Sequence, residues 1–273
     1  MLRGASLHDT VSPLIKGNIF LKLPDMGHVF DFNEAVAYEH WLQKPQSKKA
    51  FEFERQLMRD LLQPLRGETV LDIGCGTGAC LAAFLEMGLR VTGLDPSSYM
   101  LDLALKKIGN RADLYRGYAE DLPFDDNSFS YACLFTTLEF VETPRKALEE
   151  AFRVAKDRVF IGVFNRYAIK GIQRRLKGIF TPTIFNHAQF FSVWELKQMI
   201  RQILGNSPVY WRTVCQLPTH SNDFVNSLEQ SKIIQRCPFG AFAGMVVTLV
   251  PRFRTRPLTM RYQAKNQSEV ATG

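Results

Sequence analysis

The chain has 273 residues, 46% of them hydrophobic and 22% charged, enough apolar content for one full core with decorations or for two small domains. It holds no run of about eighteen uncharged apolar residues, and the opening MLRGASLHDTVSPLIKG lacks the apolar centre and small-residue cleavage site of a secretory signal, so a cytoplasmic globular enzyme is expected. Part of the net charge of +7 belongs to one end, where Arg252, Arg254, Arg256, Arg261 and Lys265 stand against Glu269 alone; the remainder is ordinary for a metabolic enzyme, and no nucleic-acid partner is expected.

Residues 1–30 read as an amino-terminal extension and residues 31–66 as a helical cap. In the cap, Phe53, Leu57, Leu61 and Leu62 fall at helical spacing, and Pro64 followed by Gly67 closes the element. Residues 67–165 then alternate. TVLDIG is a short buried strand, ACLAAFLEMG a helix stopped by Gly88, LRVTGLD a second strand, and SSYMLDLALKKIG a helix capped by Ser97 or Ser98. RADLYRGYA is a weaker strand, FSYACLF a stronger one, PRKALEEAFRVA a helix with proline in its first turn, and RVFIGVF another buried strand. Strands alternating with helices of this length predict βαβ crossovers, a mostly parallel sheet and helices on both faces, an α/β architecture.

After Asn165 the pattern breaks. Residues 166–204 read as a helical insertion that ends in a returning helix from Val193 to Leu204. Its first part places Ile169, Ile172, Leu176 and Ile179 at helical spacing, with Lys170, Arg174, Arg175 and Lys177 largely on other sides. The preferred reading is a lid over an acceptor site; a helix lying on an anionic membrane surface is the alternative. Residues 205–251 carry two strands, SPVYWRTVCQLP and FGAFAGMVVTLVP, expected to complete the sheet as an antiparallel edge. Residues 252–273 form a basic tail, expected to be disordered. The five cysteines, odd in number and without a C-x-x-C pair, predict neither a disulfide framework nor a metal site.

The chemistry concentrates in VLDIGCGTGAC, Val70 to Cys80. Read as G-x-G-x-x-A, ending at Ala79, it fits a dinucleotide fingerprint; read as D-x-G-x-G-x-G, it fits a different ligand. In a doubly wound sheet the ligand lies beyond the strand carboxyl ends, and Gly74, Gly76 and Gly78 let the backbone turn tightly and approach it. The glycines do not choose the ligand. Asp72 does more, because a carboxylate at the end of the first strand repels a pyrophosphate by a few kcal/mol, on the order expected at intermediate dielectric, and attracts a cation. Asp95, at the end of the second strand, is placed to accept hydrogen bonds from both hydroxyls of a ribose.

VLDIGCGTG, GLDPSSYML, GYAEDLPFDDNSFSYA and LEEAFRV, in that order and spacing, resemble the class I S-adenosylmethionine-dependent methyltransferases, and among them the small-molecule group that includes the ubiquinone and menaquinone methyltransferases. The resemblance covers roughly Phe32 to Pro251. It implies a doubly wound, Rossmann-like, mostly parallel seven-stranded sheet with an antiparallel edge strand, and S-adenosyl-L-methionine as cofactor. Carried over residue by residue, it implies that Asp72, Gly74, Cys75, Gly76 and Gly78 hold the methionine portion. Asp95, with Pro96 and Ser97 beside it, would hold the ribose. Met100 would pack on the adenine, Ala119 and Glu120 would meet its polar edge, and Thr136 and Leu138 would lie near the methionine carboxylate and the methyl group. The chain departs from its relatives at Tyr118, where many carry a small acid or amide.

Methyl transfer needs alignment and exclusion of water more than it needs a base. After the fourth strand, where the family often has a histidine pair, this chain reads TTLEFVETP, and Glu139 is the candidate for orienting or deprotonating a small-molecule acceptor. Its bland alternative is a solvated or capping carboxylate. Tyr38 and Trp41, on a segment resembling the amino-terminal helix that closes over the cofactor in relatives, and Tyr167 and His187, around the insertion, are the acceptor-side candidates; each is also read as a packing or surface residue. A nicotinamide-dependent oxidoreductase using the same loop is the rival enzyme class, opposed by Asp72. A binding or RNA-directed protein on the same fold would need an added domain or an N-P-P-Y pattern, and CLFTTLEF has none. Nothing in the sequence speaks to oligomeric state or names the acceptor.

Overall fold

The computed structural model describes residues 27–168, 188–215, 231 and 233–250. Helix α1 (Phe32–Gln43) opens on a capping box: Glu34 N–H donates to the Asp31 carboxylate at 2.8 Å, and Glu34 accepts from Asp31 N–H at 2.9 Å. The sequence reads as one helical stretch through residue 62, and the structure breaks it at Lys44, whose ψ of 138° is extended. Pro45 is the cause, since its ring disfavours helical geometry in the residue before it while suiting the first turn of α2 (Pro45–Leu62).

The expected alternation follows: β1 (Thr69–Ile73), α3 (Ala79–Glu86), β2 (Arg90–Asp95), α4 (Ser98–Ile108), β3 (Asp113–Arg116), β4 (Phe129–Phe135), α5 (Pro144–Val154) and β5 (Ala155–Phe164). Beyond the insertion come α6 (Val193–Leu204), β6 (Val209–Val214) and β7 (Phe242–Thr248). They form a seven-stranded sheet in the order β3-β2-β1-β4-β5-β7-β6. The first five strands are parallel; β7 runs antiparallel to both β5 and β6, giving the expected antiparallel pair at that edge, with β6 outermost.

Alternation along the strands divides the core between the two sheet faces. Leu71, Ile73, Leu134, Ile161 and Met245 point to the side covered by α5 and α6. Val70, Cys133, Phe160 and Phe242 point to the other, beneath Leu57 and Met58 of α2 and Leu81 and Phe84 of α3. Burial on both faces explains why β4 reads as an unbroken apolar run, FSYACLF, with every residue buried. Asp72 interrupts β1 on the α2/α3 side, with Gly93 and Cys133 as its strand neighbours. No helix among the described residues is long and apolar enough to cross a membrane. The 169–180 stripe and the basic tail lie outside the described residues.

Candidate functional site

Because β1 to β5 are parallel, their carboxyl ends meet on one edge, and the strand order reverses between β1 and β4. A crevice is expected at such a reversal. A cleft of about 930 Å³, its open mouth included, lies there, lined by the ends of β1, β2 and β4 and roofed by the amino-terminal segment.

The glycine loop forms its floor. Gly74, Gly76 and Gly78 all have positive φ (74°, 51° and 78°), a region L side chains seldom adopt. At Gly76 an added Cβ would meet nothing within 4 Å, so the loop presents open backbone to the cleft. At Gly74 it would strike the Thr137 side chain at 2.4 Å; Thr137 in turn donates from its hydroxyl to Ile73 O at 2.7 Å and ties the segment after β4 to the end of β1. Gly78 does not line the cleft. A Cβ there would touch Ala104 and Ile108 at 3.1 and 3.0 Å, so this glycine serves the packing of α3 on α4.

Asp72 and Asp95 both line the cleft, and their surroundings differ. Asp95 accepts from Gly76 N–H through one oxygen and from Ser97 N–H through the other, each at 2.9 Å; burial raises its pKa to about 6 against these two bonds. Each oxygen keeps a lone pair for a ligand hydroxyl. Asp72 is 1% exposed, and among the described residues neither of its oxygens has a hydrogen-bond partner. Burial, then the charge of Asp95, lifts its pKa to about 7, with the nearby Cys133 thiol drawing it slightly down. A buried carboxyl with two orphan oxygens facing a cleft calls for a ligand that is cationic or rich in N–H donors.

On the β2 side, Pro96, Met100, Ala119 and Glu120 line the cleft, and so does Tyr118. Glu120 is partly occupied: one of its oxygens accepts from Glu142 N–H at 3.0 Å and Thr143 N–H at 3.3 Å. Ser97 lies outside the lining. It caps α4 through Met100 N–H and donates from its hydroxyl to Phe30 O at 2.6 Å. That bond fastens a strap which the sequence gives no sign of. Gly27, His28, Val29 and Phe30, counted with the amino-terminal extension, form a wall of the cleft. His28 N–H donates to Phe140 O at 2.8 Å, and Gly27 passes so close to residues 140–142 that a Cβ would come within 2.4 Å of Phe140 O.

On the β4 side the lining becomes aromatic. Tyr38 and Thr136 face the cleft, joined by Phe51 and Phe135, whose rings meet edge-on at 5.6 Å. Tyr38 is half-buried, and its hydroxyl faces Thr136; burial, with the charges of Cys80, Glu54 and Glu139, pushes its pKa up. Cys75 lines the glycine loop end with its thiol pushed well up by burial. Trp41 packs on Tyr38 at 5.9 Å without reaching the lining, Leu138 is fully buried in the core, and Tyr167 is 49% exposed against Trp194. His187 lies outside the described residues. Glu139 is fully buried and does not line the cleft: one oxygen accepts from Phe164 N–H at 2.6 Å, the other has no partner among the described residues, and burial raises its pKa to about 8.

A family model described as a methyltransferase domain matches residues 71–161. The chain is 38% identical over 95 residues to a demethylmenaquinone methyltransferase of Clavibacter sepedonicus, a match covering 34% of this chain and spanning only 39% of that relative's length. It is 30% identical over 181 residues to an uncharacterised protein of Methanocaldococcus jannaschii, covering 64% of this chain and 80% of that one. Among solved structures, an S-adenosylmethionine-dependent methyltransferase of Thermotoga maritima, described as a possible histamine N-methyltransferase, superposes with a TM-score of 0.60 at 25% identity, covering 79% of this chain and 96% of that one. With a methyltransferase motif block running from β1 into β5 and a fold shared over nearly the whole of such a neighbour, the chain belongs to the class I S-adenosylmethionine-dependent methyltransferases.

Proposed function

We propose that this protein transfers a methyl group from S-adenosylmethionine to a small organic acceptor by in-line displacement. Asp72 carries the reading: a buried carboxyl with two orphan oxygens on the cleft floor suits a cationic, phosphate-free nucleoside and disfavours a dinucleotide. When bound, S-adenosylmethionine supplies an electrophilic methyl on a sulfonium. The glycine loop and Asp72 hold its methionine portion, Asp95 with Gly76 and Pro96 its ribose, and Met100, Ala119 and Glu120 its adenine. These assignments follow sheet order, since Asp95 ends β2, Asp72 lies in β1 and Thr136 follows β4, so a ligand lying across the cleft runs from β2 toward β4.

The protein's own contribution is alignment and exclusion of water. The strap at residues 27–30, pinned by Ser97, covers one side, and α1 is clamped to the floor by Lys107, which reaches both Glu39 at 3.0 Å and the Thr77 hydroxyl at 3.3 Å. Tyr38, Phe51 and Phe135 wall the end where an acceptor would meet the methyl group. Incubation with methyl-labelled S-adenosylmethionine and a panel of quinols, phenols and amines tests the reading. Label transfer with formation of S-adenosylhomocysteine is expected; hydride transfer to or from NAD by the same preparation would contradict it.

A further inference from the structure

Among the described residues, those other than glycine with positive φ are Gln63, Asn127, Thr136 and Cys215. Gln63 closes α2 as its C-cap, and asparagine tolerates the left-handed region through its short polar side chain. Thr136, at φ 53°, has the branched Cβ that makes this conformation an outlier, and it is the one of the four that lines the cleft. Its surroundings hold it there. Thr136 N–H donates to Gly162 O of β5 at 2.8 Å, and the next residue, Thr137, donates to Ile73 O and sits over Gly74. All of β4 before it and residues 137–139 after it are buried, while Thr136 is half-buried, so the turn brings its side chain to the cleft surface.

Backbone strain of this kind persists where the surrounding structure fixes it, and it gathers at functional sites. Glycine would adopt the same backbone without the cost, so the threonine side chain is the gain set against it. Resting on the methyltransferase reading, we infer that Thr136 is held in a strained backbone to present its hydroxyl to the methyl acceptor, an uncharged hydroxyl-bearing molecule on an apolar frame. The wall beside it supports that class. Thr136 and Tyr38 bring hydroxyls to a surface otherwise made of the Phe51 and Phe135 rings, and the neighbouring Thr137 hydroxyl is spent on Ile73 O. None of these side chains carries a charge, so a charged acceptor group would leave water without a counter-charge to meet it. A hydroxyl both donates and accepts, so it fixes the direction of a neutral O–H. In the sheet order, β4 lies on the far side of β1 from β2, which puts Thr136 beyond the ribose and methionine portions assigned to β2 and β1.

The test compares stability with binding in the full chain. Thr136→Gly removes the side chain and relieves the backbone, and is expected to raise the Tm of the ligand-free protein by about 2–4 °C, the size of a left-handed penalty in a chain of this length. The protein is then saturated with S-adenosylhomocysteine and titrated calorimetrically with 4-ethylphenol. Thr136→Gly and Thr136→Ala are expected to bind the phenol about three- to tenfold more weakly than wild type, as loss of one hydrogen bond requires. Thr136→Ser keeps the hydroxyl and is expected to bind within about twofold of wild type, and all three variants to keep S-adenosylhomocysteine affinity within about twofold. Wild type is expected to bind 4-ethylphenol more tightly than 4-ethylbenzoate or 4-ethylbenzylamine, which carry opposite charges on the same frame. A lower Tm for Thr136→Gly, full phenol affinity without the hydroxyl, tighter binding of either charged probe, or no phenol binding at millimolar concentration would overturn the inference. An equal loss of S-adenosylhomocysteine affinity would overturn it too, by making Thr136 a cofactor residue. Absence of S-adenosylhomocysteine binding to wild type would instead sink the methyltransferase reading.

Discussion

Burial raises three acids in and behind the cleft, Asp72 to about 7, Asp95 to about 6 and Glu139 to about 8. An unfolded chain releases the same protons near pH 4. Between about pH 4 and 8 the folded protein therefore binds more protons than the unfolded one, so these groups lower stability as pH rises across that window. The Tm of the ligand-free protein is expected to fall by several degrees from pH 5 to 8.5, and Glu139→Gln should flatten part of that fall. A variant with the wild-type slope would contradict the account of Glu139. Asp95 makes a separate prediction: Asp95→Ala should weaken S-adenosylhomocysteine binding by about 1.5–3 kcal/mol, the scale of charge-assisted hydrogen bonds, measured by calorimetry. Asp72 and Asp95 were legible in the sequence because a carboxylate at a strand end next to glycines has few structural uses. The burial of Glu139 was not, because an acid just after a strand looks like any solvated or capping one until the fold covers it.

At the scale of elements, the strands and helices between residues 67 and 165 follow from apolar runs and punctuation, and their order in chain matches the sequence reading. Two features escaped it. The break at Lys44 needs only the rule that proline disfavours a helical predecessor, a signal that was present but outweighed by the helical spacing around it. The strap at residues 27–30 gives no periodic signal, since its fixed course comes from single contacts to Phe140 and Ser97 made by segments far away in sequence. Ser97 serves both α4 and the strap, so Ser97→Ala should cost about 1 kcal/mol in stability from the lost cap. It should also speed release of S-adenosylhomocysteine in stopped-flow displacement, and an unchanged release rate would show that the strap does not hold the ligand. Gly78→Ala makes the contrast at the neighbouring element: strain at a φ of 78° against α4 should lower Tm, while cofactor affinity per folded molecule stays near wild type.

For the whole molecule, sheet order turns separate residues into one site. Asp95, Asp72 and Thr136 are far apart in the chain and become neighbours because β2, β1 and β4 are adjacent in a parallel sheet whose carboxyl ends share an edge. The same order puts the aromatic rings of Phe51 and Phe135 on the β4 side of the cleft. Fold class and the β1 and β2 sides of the cleft were therefore readable from the motif block alone, since that block spans the strands that build them. The β4 side of the cleft was not, because it is assembled from α1, α2 and the segment after β4, none of which carries a ligand-specific pattern. Calorimetric titration of S-adenosylhomocysteine and NAD into one preparation of the full chain tests the central claim most directly. The account predicts saturable binding of S-adenosylhomocysteine at one site per chain, weakened by Asp95→Ala, and no heat from NAD; tight binding of NAD with no response to S-adenosylhomocysteine would contradict it.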